Sequence, residues 1–152
     1  MRRKDREKDT AFALDVFCKC EYATLAATNP DGTPYCVPVS VAVHNGAIYF
    51  HCALEGHKLD NIRHASAVCV SAVSFSRIVP ENYSAEYDSA IATGQCAIVT
   101  DEAEKATALR AISEKYAKSH IADFDARMAK WLHLTHVCKI DIEKITGKAS
   151  RQ

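Results

Sequence analysis

The stretch Ala47-Ile48-Tyr49-Phe50-His51-Cys52-Ala53-Leu54-Glu55-Gly56-His57-Lys58-Leu59-Asp60-Asn61-Ile62 decides how the rest of the chain is read. Its first half alternates β-formers directly after Asn45-Gly46, and its second half sets Leu59 and Ile62 at helical spacing behind a Glu55-Gly56 turn. The order is strand, tight turn, helix. A helix start leaves its first backbone N–H groups without partners, and Gly56 has no side chain to keep an anion away from them. His57 and Lys58 place further donors there, so the turn is a candidate phosphate seat.

Working outward, His44-Asn45-Gly46-Ala47 predicts a tight hairpin, because a type I′ turn needs positive φ at both central residues and Asn-Gly tolerates it. Tyr22 to Thr28 and Tyr35 to His44 read as a second antiparallel pair around the turn-rich Asn29-Pro30-Asp31-Gly32-Thr33-Pro34. Val37, Val39, Val41 and Val43 share one face of the returning strand. Pro38 lacks an N–H and belongs at an edge or bulge, where free backbone groups are open to a ligand. Beyond the central motif, Val68 to Phe75 is β-rich, Ser76 to Glu86 reads as a loop, and Tyr87 to Thr100 alternates as a long strand. Val137 to Ile145 reads as a last strand, ended by Thr146-Gly147-Lys148. Successive hairpins of this kind favour an antiparallel barrel over a parallel sheet.

Helical spacing marks three further segments. Asp5 to Cys20 pairs Phe12 with Val16 and Ala13 with Phe17, an apolar side suited to capping one end of a barrel. Asp101 to Ser119 carries acidic residues in its first turn and an apolar stripe through Leu109 and Ile112. A shorter helix is predicted over Asp123 to His133.

The 152 residues, 48% of them apolar, are expected to form one domain over 1–152 with a sizeable core. Nineteen basic residues balance nineteen acidic ones, so no overall field draws the chain to nucleic acid or to an anionic membrane. No signal peptide is visible, and no apolar run approaches the roughly 20 residues of a spanning helix. A cytoplasmic protein is expected. Seven cysteines without a regular framework fit reduced thiols rather than disulfides. The Cys18-x-Cys20 and His133-x-x-His136-x-Cys138 spacings match no structural zinc pattern, so no metal site is expected. A hydrolase serine elbow is absent, since no Gly-x-Ser-x-Gly occurs.

Tyr49-Phe50-His51-Cys52 followed by Gly56-His57-Lys58-Leu59-Asp60-Asn61-Ile62 resembles the core motif of the pyridoxamine-phosphate-oxidase-like flavoproteins, in the branch related to the nitroimidazole-resistance proteins. Pro34-Tyr35-x-Val37-Pro38-Val39 resembles the family's strand beside the flavin ring. Tyr87-x-Ser89-Ala90-Ile91-x-x-x-Gly94 and Ile145-Thr146-Gly147-Lys148 resemble its later strands, in the same order.

The resemblance implies a six-stranded antiparallel split β-barrel with peripheral α-helices, forming a homodimer with FMN at the interface. It sets His57 and Lys58 at the phosphate-binding basic pair, within a set that includes Gly56 and Asn61. His51 and Cys52 fall on strand positions contacting the ribityl phosphate or the ring, with His51 the candidate proton donor. Val37, Pro38, Val39 and Ser40 border the isoalloxazine, and Ser89 approaches from the next strand or the partner subunit. The family's vitamin-processing oxidases carry an arginine where His57 stands, and no substrate-phosphate arginine is evident here. The implied activity is reduction of a small acceptor such as a nitroimidazole-type nitro compound, with a nicotinamide as one donor. A non-catalytic flavin- or haem-binding protein is the alternative, and a cofactor-free dimer a third.

Overall fold

In the computed structural model, which describes residues 2–151, the chain opens with a 3₁₀ turn at Lys4–Arg6 and the two-residue strand β1 (Glu7–Lys8). Asp9 then accepts a hydrogen bond from the Phe12 N–H and starts α1 (Thr10–Lys19), later than the predicted Asp5. Such a side-chain cap satisfies one of the donors that every helix start leaves open. Ala13, Val16 and Phe17 turn their side of α1 into the main core, as the spacing predicts.

β2 (Ala23–Thr28) pairs with β3 (Pro34–Val39) through the predicted hairpin. The returning strand is not continuous. It breaks at Ser40 and resumes as β4 (Val41–His44), which pairs instead with β5 (Ala47–Cys52). Asn45 and Gly46 adopt φ of 47° and 77° between them, the positive values that the Asn-Gly pair predicts. After Gly56 comes α2 (His57–His64).

The β6–β7 hairpin corrects the sequence reading most. β6 (Ala67–Val79) and β7 (Ser84–Ile98) run together through Ser76 to Glu86, where a loop is predicted, and a short 3₁₀ turn at Pro80–Asn82 closes them. Arg77 and the buried Glu86, 2.7 Å apart, join the two arms. Polar and turn-forming residues masked the pairing, because most of the arm is exposed and its burial follows no apolar alternation. α3 (Glu102–Tyr116) and α4 (Phe124–Trp131) follow, α4 shorter than predicted because 3₁₀ turns flank it. β8 (His136–Ser150) runs straight through Thr146-Gly147-Lys148 rather than ending there. Its pairing with β7 and β1 supplies the reason: Gly147 lies against the Phe12 ring, where a Cβ would sit 2.8 Å away.

Among the described residues eight antiparallel strands thus replace the expected six, in the order β3-β2-β6-β7-β8-β5-β4 with β1 beside β8. The class is the predicted one, mainly β with peripheral helices. β3 and β4 lie at opposite ends of this order yet are joined by Ser40 alone, so the sheet must curl round to bring its ends together. Leu25, Val41, Ile48, Phe50, Val70 and Ile140 fill the interior, with α1 and Leu59 of α2 packed on them. A second cluster, built on Tyr49, Leu109, Phe124 and Val137, lies under α3 and α4 on the other face of β5 and β8. No helix among the described residues is long and apolar enough to cross a membrane.

Candidate functional site

The strand break at Ser40 creates the site. β4 pairs with β5 from Val41↔Phe50 to His44↔Ala47, and one further step of that register sets Ser40 opposite His51. There the chain leaves β5 and crosses to β2. From that point β3 has no strand on its far edge, and His51 and Cys52 keep only β8 as a partner, at Val137 and His136. Two strand edges therefore diverge with their backbone groups unpaired, and such edges recruit other hydrogen-bonding groups. The barrel is split here.

α2 closes the mouth of the split. Gly56 holds φ 143° and ψ 159°, a conformation that L side chains rarely adopt, and no atom lies within 4 Å of where its Cβ would be. No side chain caps the helix. His57 leans over the β2–β3 turn, where its Nε2 donates to Asn29 Oδ1 at 2.9 Å and its ring lies 4.5 Å from that of Tyr35. Asn61, one turn on and wholly buried, donates to the same oxygen at 2.8 Å. Both side chains thus dock α2 onto the hairpin. Asn61 Oδ1 has no hydrogen-bond partner among the described residues.

Lys58 differs from both. It is half-buried and forms no ion pair or hydrogen bond with a described residue. Its ammonium acts on His51 and Cys52 across the split: partial burial, and after it the Lys58 charge, push His51 below the ordinary histidine value of 6.5. The shift favours the neutral imidazole, which can donate one N–H. The Cys52 thiol is held up by its hydrogen bond to Cys138 and by burial, so it remains protonated. All seven cysteines are free thiols.

The residues expected at the site are only partly brought together. Ser40, His51, Cys52, Gly56 and Lys58 surround the split, and β3 contributes its free edge. Strand alternation nonetheless divides them between two faces. Val37 and Val39 turn into the core while Pro38 and Ser40 face outward, and His51 and Cys52 lie on opposite faces of β5. A ligand on one face cannot touch both members of either pair. Ser89 is remote: it pairs with Lys148 at the far end of β8 and bonds that residue's carbonyl, whereas His51 pairs with Val137 near the start. Within one chain it does not reach the split.

Sequence reasoning missed what holds the break in place. The Val41 N–H donates to Tyr116 Oη at 3.1 Å, the same hydroxyl donates to Val41 O at 3.0 Å, and Lys115 Nζ donates to Val41 O at 2.7 Å. Lys115 also reaches Phe17 O at 2.8 Å. The last turn of α3 thus stands in for the strand that β4 lacks. Asn29 was missed too, although His57 and Asn61 at i,i+4 signal one helix face turned to a common partner. Among the described residues no group of three His, Cys, Asp or Glu side chains could hold a metal ion.

A family model described as pyridoxamine 5'-phosphate oxidase matches residues 17–149. No curated protein matches the sequence significantly. Among solved structures, the FAD and heme binding protein of Mycobacterium smegmatis superposes with a TM-score of 0.83 at 18% identity, covering 97% of this chain and 74% of that one. A candidate 5-nitroimidazole antibiotic resistance protein of Bacteroides thetaiotaomicron has a TM-score of 0.75 at 22% identity, with 93% and 84% covered. The flavocytochrome Anf3 of Azotobacter vinelandii has a TM-score of 0.76 at 17% identity, with 100% and 72% covered. At these identities the likeness is one of fold.

Proposed function

The chain belongs to the pyridoxamine 5'-phosphate oxidase family, and on that premise we propose that it is a flavoprotein holding FMN in the split between β3 and β5. One observation carries the reading. Lys58 stands without an ion-pair partner beside an uncapped helix start that Gly56 leaves clear, the arrangement a terminal phosphate requires. FAD has no such exposed terminal phosphate, which favours FMN. The unpaired edge of β3 suits the polar rim of an isoalloxazine, with Pro38 and Ser40 on its outer side.

A bound flavin supplies hydride or single-electron transfer between a nicotinamide donor and a small acceptor, for which a nitroimidazole-type compound is the proposed class. Lys58 neutralises the phosphate, and His57 fixes α2 in place rather than sharing that charge. His51, beside Ser40, is placed to donate a hydrogen bond through its ring N–H to a group reduced in the split. The test is the visible spectrum and the released cofactor. The purified protein is expected to show a flavin doublet and to release FMN on denaturation; FAD, a haem Soret band or no chromophore would overturn the reading.

The same proposal includes a homodimer. The outer face of β3-β2-β6-β7 carries the uncharged Thr24, Ala26, Pro38, Ser71, Val73 and Ile91, with Val73 and Ile91 about half exposed. A stretch of uncharged side chains with exposed Val73 and Ile91, ending at the free edge of β3, suits burial against a second copy. Ser89 lies on it and would then come from the partner. Light scattering at micromolar concentration should give twice the 16.7 kDa chain mass; a flavin-loaded monomer would refute this part.

A further inference from the structure

We propose that the cavity between α3 and α4 binds a small aromatic or aliphatic monocarboxylate, at a site separate from the split. The cavity measures about 350 Å³, within the roughly 300–1,000 Å³ of small-molecule sites, and is lined by Ser113, Ala117, His120, Phe124, Arg127 and Met128. Its floor is apolar. Phe124 is buried in the second core cluster, and Met128 packs against that cluster from the edge.

Its rim is made of donors that the fold does not use. Ser113 Oγ and the Arg127 guanidinium have no hydrogen-bond or ion-pair partner among the described residues. His120 Nδ1 is taken by Ser119 Oγ at 2.9 Å, which leaves Nε2 free. The other guanidinium nearby is already committed: Arg110 lies 4.5 Å over the Phe124 ring and pairs with Asp125 at 2.8 Å. Arg127 therefore supplies the cavity with one uncompensated positive charge and a planar fork that matches a carboxylate. An apolar floor below a guanidinium, a hydroxyl and an imidazole accepts an apolar body bearing one carboxylate. A neutral amide of the same shape would lose the charge-assisted bonds.

The chain provides its own reporter. It contains two methionines, Met1 and Met128, so methyl-labelled protein gives one signal from inside the cavity. The purified protein, with whatever cofactor it carries, is titrated with benzoate, hexanoate and benzamide. A saturable shift of the Met128 methyl with at least one acid is expected, with benzamide binding about tenfold more weakly than benzoate. Arg127→Gln should weaken the acids by a similar factor, and because Arg127 is exposed the variant should fold. Absence of saturation with both acids overturns the proposal, as does equal affinity for the amide or for Arg127→Gln. Failure of the flavin reading would not move the Met128 signal.

Discussion

The sheet is interrupted at two neighbouring edges, and the protein treats them in opposite ways. At Val41 the free edge of β4 is closed: Tyr116 takes both the N–H and the carbonyl, and Lys115 adds a charged donor. Along β3 and the end of β5, a few residues away, the edges stay open and the nearest cation, Lys58, has no partner. Two lysines of the same chemistry thus stand at two breaks of the same ladder. One is spent on folding and the other is kept in reserve. Charged hydrogen bonds contribute stability only where their partners belong to the protein; where no partner is present, the same group can serve a ligand.

The largest expected effect breaks the closed side. Lys115→Ala removes the charged bonds to the carbonyls of the buried Phe17 and Val41, leaving Val41 O with Tyr116 Oη and Phe17 O with the weak Cys20 Sγ donor, at a cost of about 3 kcal/mol. Thermal denaturation should register it as a fall of roughly 6–12 °C. Should Lys58→Ala destabilise the protein as much, the two breaks would not differ and the open one would not be in reserve.

On the open side, Lys58→Ala should leave folding within about 0.5 kcal/mol of the parent. Its effect should fall on the ligand. Loss of a charge-assisted contact to phosphate is worth roughly 1.5–3 kcal/mol, an affinity change on the order of ten- to a hundredfold. Titrations of apo-protein with FMN and with riboflavin separate the cases. FMN alone should weaken, and an equal loss for both flavins would remove Lys58 from the phosphate.

The smallest effect is on protons. Partial burial and Lys58 lower the His51 pKa, so between that value and 6.5 the unfolded chain binds more protons than the folded one. His51 accordingly costs stability as pH falls through 6.5 towards its folded pKa, and nothing further below it. Lys58→Ala should move the His51 titration, followed by NMR, back upward. An unmoved titration would mean that the two residues do not face each other across the split.

Much of this was legible in the sequence because it is local. Asn45-Gly46 dictates its turn, since few residues tolerate two positive φ values in succession. Asp101 opens its helix at the predicted acidic start, and Phe12, Ala13, Val16 and Phe17 show which side of α1 goes inward. The strand, turn and helix from Ala47 to Ile62 are there in order. Val37 and Val39 could also have been assigned to the core from alternation alone, which would have left Pro38 and Ser40 for the outer side.

The sequence by itself determined the antiparallel class, the helix at Gly56 and the freedom of its N–H groups, because turn dihedrals, caps and periodicity act over a few residues. Only the tertiary structure decided that the valine strand breaks at Ser40, that Ser76 to Glu86 pairs as a hairpin, that His57 is spent on Asn29 while Lys58 is not, and that Ser89 lies at the far end of β8. Each of these depends on a partner distant along the chain. A backbone N–H or a lysine ammonium has the same local sequence whether it is satisfied or left open, and only the folded neighbourhood determines which.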